Sequence, residues 1–298
     1  MSLERMKPIP YEVLTLREIA NPSDLKERLG AQGFIIIRDD VRSVEQFEKV
    51  SKLWFSQFHM SGSRRDRNQS SSDGFSLEAH SSKHLLAHSE GYHRPCLPPP
   101  DVGLLWCKTA PQGAGGETSL FDGAAFFDAL PNIIAERLVN EMVVYELSWP
   151  KDRWIYEFST SSTEQLSNLF LRNENILFDF ESNEHLRLHY YAEAVTEDNQ
   201  GKKRFINGLL AHLPSVTHPR YAGNILNRPH NKVFWQDMSP WETIDIDPII
   251  DAHDYVMQRH RWQEGDLLII NNHTHLHGRV APATPEPREI FSRFAYWS

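Results

Sequence analysis

The residues best placed to do chemistry in this 298-residue chain are an imidazole and a carboxylate one residue apart, His88-Ser89-Glu90, and a distant cluster, His273, His275 and His277. Side chains alternate along an extended segment, so His88 and Glu90 share a face while Ser89 points away. The same parity puts His273, His275 and His277 on one face, and spacing alone does not choose among them. Two imidazole nitrogens and one carboxylate form the facial set that holds non-haem iron(II) with open coordination positions. A dicarboxylate co-substrate on such a metal needs a fixed cation at its far end, and a planar guanidinium fits best. Arg288 and Arg293 stand in the last apolar run of the chain. Five apart, they face opposite sides of a regular strand, so only one should point into the site.

The elements that must position these groups are mostly short strands. Residues 33–38 form a β-branched apolar run, and 102–107, 267–270 and 288–297 read the same way. Shorter strands are expected over 143–147, 186–192 and 205–210, and the alternation around His185 and His189 favours a strand over a helix face. Ser43 reads as an N-cap, with Phe47, Val50, Leu53, Trp54 and Phe58 as the buried stripe of the helix it opens. Residues 126–130 and 132–139 read as helical turns broken at Pro131. Residues 61–82 are polar, low in apolar residues and run into His84 and His88, which makes them a candidate active-site loop or lid. Asp245, Asp247, Asp251 and Asp254 lack the central Gly and final Glu of a calcium loop and read as a solvated acidic face. No repeat or linker divides the chain, so 1–298 is expected to be a single domain. The class is β-rich α+β: a double-stranded β-helix, or cupin-like jelly roll, with flanking helices.

Composition narrows the function classes. The formal net charge of −9 argues against a nucleic-acid surface. No apolar run is long enough to span a membrane, and the first residues lack a signal-peptide core, so a cytoplasmic protein is expected. Cys96 and Cys107 are expected as reduced packing residues. The Gly-rich stretch 111–118 does not end in Gly-Lys-Ser/Thr and is no phosphate loop.

Taken in order, Gly33 to Arg38, His88-Ser89-Glu90, Trp106-Cys107-Lys108-Thr109-Ala110-Pro111, Gly115-Gly116-Glu117-Thr118, Trp262-Gln263-Glu264-Gly265-Asp266, Asn271-Asn272, His277-Gly278-Arg279 and Pro287-Arg288 resemble the taurine dioxygenase and clavaminate synthase-like branch of the iron(II)/2-oxoglutarate dioxygenases. The likeness is greatest to β-hydroxylases of the syringomycin type and runs from about residue 30 to the end. It implies that His88, Glu90 and His277 bind iron(II), with His277 chosen through the Gly-Arg that follows it. It further implies that Thr118 and Arg288 hold 2-oxoglutarate, with Arg293 as the alternative arginine, and that dioxygen is the second co-substrate. Two features depart from the family pattern: Asn271-Asn272 replaces Asp-Asn, and Arg293 falls five rather than four residues after Arg288. The implied activity is hydroxylation of an unactivated C–H bond in a small molecule, an amino acid or natural-product intermediate, free or borne on a carrier protein. His84, Tyr92, His93 and Arg293 are candidates for the substrate shell by their positions. Desaturation or epoxidation at the same site is the nearest alternative, and a non-catalytic, metal-binding cupin-like domain is the alternative of another class.

Overall fold

The computed structural model describes residues 12–59, 75–77, 83–213, 220–221, 231–283 and 287–298. The apolar run Phe34–Ile37 is buried at every position and pairs antiparallel with Leu267–Asn271, Leu267 opposite Ile37. Leu267–Asn271 pairs in turn with Val102–Thr109, and that strand with Glu289–Tyr296. Val13–Leu14 and Gln57–His59 close the two ends of this large sheet. The expected lid at 61–82 lies outside the described residues, except for Phe75–Leu77, which pairs with the last strand.

A smaller sheet runs in the order Gln258–His260, Thr118–Asp122, His275–Arg279, Leu85–His88. Between the two sheets pack Phe34, Ile36, Leu105, Cys107, Leu120, Trp262, Leu268, Ile270 and Ile290. This is the expected double-stranded β-helix, and His88, His275 and His277 are buried within it. The other face of the large sheet is covered by helices Pro22–Gln32 and Val44–Trp54, through Leu25, Leu29, Phe47, Val50 and Trp54. Asn21 caps the first by accepting from the amides of Ser23 and Asp24, and Ser43 caps the second by accepting from Gln46. Leu53 leaves the expected stripe and is 64% exposed, because it sits off the face set by Phe47, Val50 and Trp54. Phe58 falls beyond the helix end, on Gln57–His59.

The middle of the chain builds a four-stranded antiparallel sheet from Asn231–Trp235, Val143–Trp149, Leu186–Ala192 and Ile176–Phe180, with helices Lys151–Phe158 and Thr163–Phe170. Its core includes Leu86, Phe121 and Leu276 of the small sheet, so this layer backs the strands that carry His88 and His277. The strand expected over 205–210 is not formed. Lys203–Phe205 is extended, but Asn207 Oδ1 accepts from the Leu209 amide at 2.8 Å and starts the short helix Leu209–His212. The acidic stretch lies on helix Thr243–Val256, which buries Ile249, Ile250 and His253.

Candidate active site

His277 and His88 are direct cross-strand partners, with ring centroids 4.4 Å apart. They are 8% and 4% exposed. His88 Nδ1 lies 3.1 Å from the Leu86 carbonyl, which fixes that nitrogen as the donor and leaves Nε2 with its lone pair. The other two members of the downstream cluster have different neighbours. His275 packs edge-on against Phe34, and a Cβ at Gly33 would overlap its ring, so Gly33 must be glycine both for that approach and for its φ of 79°. Burial pushes the His275 imidazole down to about 4 and keeps it neutral. His273 bridges Asp101 and the Tyr92 hydroxyl, at 2.8 Å to each. The parity that left three histidines tied in the sequence is therefore resolved by strand register.

Glu90 is held from its backbone. Asn272, 1% exposed, accepts from the Glu90 amide at 2.9 Å and donates to the carbonyls of Glu90 and Pro100 at 3.0 and 2.8 Å. This side chain ties the segment after His88 to the turn before His275. The Glu90 carboxylate lies 4.0 Å from the Arg94 guanidinium. Among the described residues no three His, Cys, Asp or Glu side chains are gathered closely enough, as placed, to hold a metal ion. The donor chemistry nonetheless fits iron(II): two adjacent imidazoles, one with its tautomer fixed for ligation, and a carboxylate two residues along the same segment.

Thr118 sits on the strand beside His277, two residues from its register partner Leu120, and faces the same interior. Its hydroxyl accepts from Trp262 Nε1 at 3.1 Å. Trp262 stands edge-on to His260 at 4.5 Å, and His260 Nε2 lies 3.2 Å from Asp266. Asp266, fully buried, also takes a two-pronged bond from Arg38 at 2.7 and 3.1 Å. Burial alone would raise the Asp266 carboxyl, but the bonds from His260 and Arg38 outweigh it and hold the group below the usual carboxylate range.

The two candidate arginines part company. Arg288 is buried and donates from Nε to the Gly116 carbonyl at 3.0 Å. Gly115 and Gly116 have φ of 86° and 79°, and a Cβ on Gly115 would lie 2.2 Å from the Ala281 carbonyl oxygen. The paired glycines thus make the turn that brings this carbonyl to Arg288. Arg293, by contrast, donates to Ser51 Oγ at 2.6 Å and lies 3.4 Å over the Phe58 ring. Its neighbour Phe294 instead approaches His277, with ring centroids 6.0 Å apart. Arg293 is therefore corrected from a co-substrate or substrate residue to one packed on the helix side of the last strand.

The remaining substrate-shell candidates have mixed surroundings. His84 Nδ1 accepts from the Ala281 amide at 3.2 Å, and its ring meets Tyr221 edge-on. Tyr92 is engaged by His273, and His93 stacks on His212 at 4.0 Å beside Tyr145. Burial pushes the Cys107 thiol up to about 12, and both cysteines are free, as expected. Sequence reasoning missed the jobs of Asn272, Trp262, Asp266 and Arg38, although all four lie within the motif runs. Nothing in the sequence marked Arg94.

No curated protein matches the chain at the level of sequence. Solved structures share the fold at low identity. AAD-2, solved with Mn(II) and N-oxalylglycine, is 17% identical, with 99% of this chain and 96% of that chain covered and a TM-score of 0.58. A taurine dioxygenase from Burkholderia xenovorans is 12% identical, over 96% and 83% of the two chains, with a TM-score of 0.55. PvcB from Pseudomonas aeruginosa, described as an Fe, alpha-ketoglutarate dependent oxygenase from an isonitrile synthetic pathway, is 12% identical over 93% and 80%, with a TM-score of 0.53. The family model for taurine catabolism dioxygenases matches residues 8–294. With nearly its whole length matched, the chain belongs to the TauD, TfdA family of dioxygenases.

Proposed function

We propose that this dioxygenase uses iron(II), 2-oxoglutarate and dioxygen to hydroxylate an unactivated C–H bond of a small molecule, an amino acid or natural-product intermediate. The observation that carries the reading is the His88–His277 pair, set in register on adjacent strands inside the double-stranded β-helix. In this reading His88, His277 and Glu90 would hold the metal, and Thr118 and Arg288 the co-substrate. The run His88-Ser89-Glu90, Gly115-Gly116-Glu117-Thr118 and His277-Gly278-Arg279 supports a position near the syringomycin-type hydroxylases.

When bound, the metal and its co-substrates supply oxidative decarboxylation to succinate and carbon dioxide, with one oxygen atom passed to the substrate. The chain's own part is positioning. The Leu86 carbonyl fixes the His88 tautomer, and Asn272 fixes the backbone of Glu90. Trp262 donates to the Thr118 oxygen, so the Thr118 proton is aimed at another acceptor, such as a carboxylate. The Gly116 carbonyl orients the Arg288 guanidinium through Nε. Leu120, Ile290 and Phe294 line the interior with apolar surface and exclude water.

Protein loaded anaerobically with iron(II), then given 2-oxoglutarate, a metabolite extract and dioxygen, should release succinate together with a product heavier by one oxygen. A product lacking two hydrogens would replace hydroxylation by desaturation, and an absence of succinate would sink the catalytic reading.

A further inference from the structure

The strand that carries His88 ends at that residue, so the chain has left the sheet before the candidate carboxylate is reached. His277, by contrast, sits inside a strand paired on both sides, opposite His88 and Leu120. Beyond His88 the place of the ladder is taken by two buried asparagines from distant parts of the chain, each 1% exposed. The Ser89 amide donates to the Asn207 carbonyl at 2.9 Å, and the Glu90 amide donates to Asn272 Oδ1 at 2.9 Å. Asn207 is itself fixed, donating to the Ala194 carbonyl at 2.7 Å and accepting from the Leu209 amide at 2.8 Å.

Asn272 does more than accept. Its side-chain nitrogen donates to the Glu90 and Pro100 carbonyls at 3.0 and 2.8 Å, and its backbone amide donates to the Asp101 carbonyl at 3.0 Å. Both donors and the acceptor of the carboxamide are thereby engaged. An aspartate in its place would have no donor, and an alanine no polar atom. His273, the next residue, ties the same two segments together by another route, since its hydrogen bonds go to Asp101, Tyr92 and Asn271. A carboxylate on an untethered turn must order that turn when it meets a metal, whereas on a tethered turn its backbone is already placed.

We propose that Asn272 is a positioning residue of the metal site. It sets the metal affinity by holding the Glu90 backbone, so that the carboxylate joins the imidazole pair through its own side-chain torsions alone. This rests on the reading of His88, Glu90 and His277 as ligands and adds to it the group that presents one of them.

The test titrates the full chain with Mn(II) in the presence of N-oxalylglycine. Free Mn(II) is read by electron paramagnetic resonance, with His88→Ala as the blank for binding elsewhere. Asn272→Ala should weaken Mn(II) binding by about tenfold or more, as removal of a group that orients a ligand does. In a Glu90→Ala background the same substitution should cost nothing further, because a residue acting through Glu90 has no effect once that carboxylate is gone. A general loosening of the fold would instead add to the Glu90→Ala loss. His273→Ala should bind Mn(II) as the parent chain does. Asn272→Gln keeps the carboxamide but shifts it by one methylene; it repeats the cycle where Asn272→Ala does not fold, with a smaller loss of the same non-additive kind. Unchanged affinity in the Asn272 variants, additive losses, or a His273→Ala protein as weak as Asn272→Ala would each overturn the assignment. A Glu90→Ala protein that binds Mn(II) as tightly as the parent would instead overturn the ligand reading beneath it.

Discussion

On the Thr118 side of the imidazole pair, Arg38, Asp266 and His260 form a closed set. The carboxylate is fully buried, two-pronged with Arg38, within 3.2 Å of His260, and also accepts from the Gln263 amide at 3.0 Å. On the Glu90 side, Arg94 has one close carboxylate, Glu157, and a looser one, Glu90, at 4.0 Å. The two clusters use the same residue types in opposite ways. In the first, every carboxylate oxygen is committed, so the group can only hold the backbone turn that carries Trp262 and, through it, Thr118. In the second, Glu157 is shared between Arg94 and Arg153, and Glu90 stands farther off.

The largest effect expected around this contrast is at the imidazoles themselves. His88→Ala or His277→Ala should abolish Mn(II) binding and succinate formation, whereas His273→Ala should keep both, since His273 only bridges Asp101 and Tyr92. A dead His273→Ala protein would place the metal elsewhere. Next comes the closed cluster. Asp266→Ala leaves Arg38 and His260 without their acceptor and should lower unfolding free energy by about 3–5 kcal/mol, read by denaturant titration. Arg94→Gln should lower it by only about 1–2 kcal/mol, because Arg153 still pairs with Glu157. Equal losses would mean that both clusters are scaffold.

The third effect separates the arginines. Arg288→Ala should raise the 2-oxoglutarate concentration needed for half-maximal succinate release by about tenfold or more, the loss of a buried charge-assisted pair. Arg293→Ala should act on stability, through Ser51 and Phe58, and leave that requirement nearly unchanged. The smallest effect is the pH dependence of the closed cluster. Asp266 titrates below its ordinary value, so its stabilisation is complete above about pH 4 and is lost as pH falls through the lowered folded value. Asp266→Asn should flatten that acid limb of the stability curve. An acid limb as steep as in the parent chain would assign it to other carboxylates.

Much of the frame was legible in the chain. The apolar runs at Phe34–Ile37 and Leu267–Asn271, the Ser43 cap and the alternating last strand follow from local pattern, because side-chain period and capping chemistry act over a few residues. The same locality misled at residues 205–210, where Asn207 starts a helix through its side chain, and at Leu53. Local pattern also determined that Arg288 and Arg293 diverge, whereas the strand that carries His88 ends there and leaves Glu90 in the following turn. It could not say which of three downstream histidines meets His88, since parity is identical for all three. Strand register decided that, by placing His277 opposite His88. Nor could sequence show that Asn272 staples Glu90, or that Asp266 braces Thr118 through Trp262. Those contacts join residues far apart in the chain, and only packing the two sheets and the inserted layer together brings them within bonding distance.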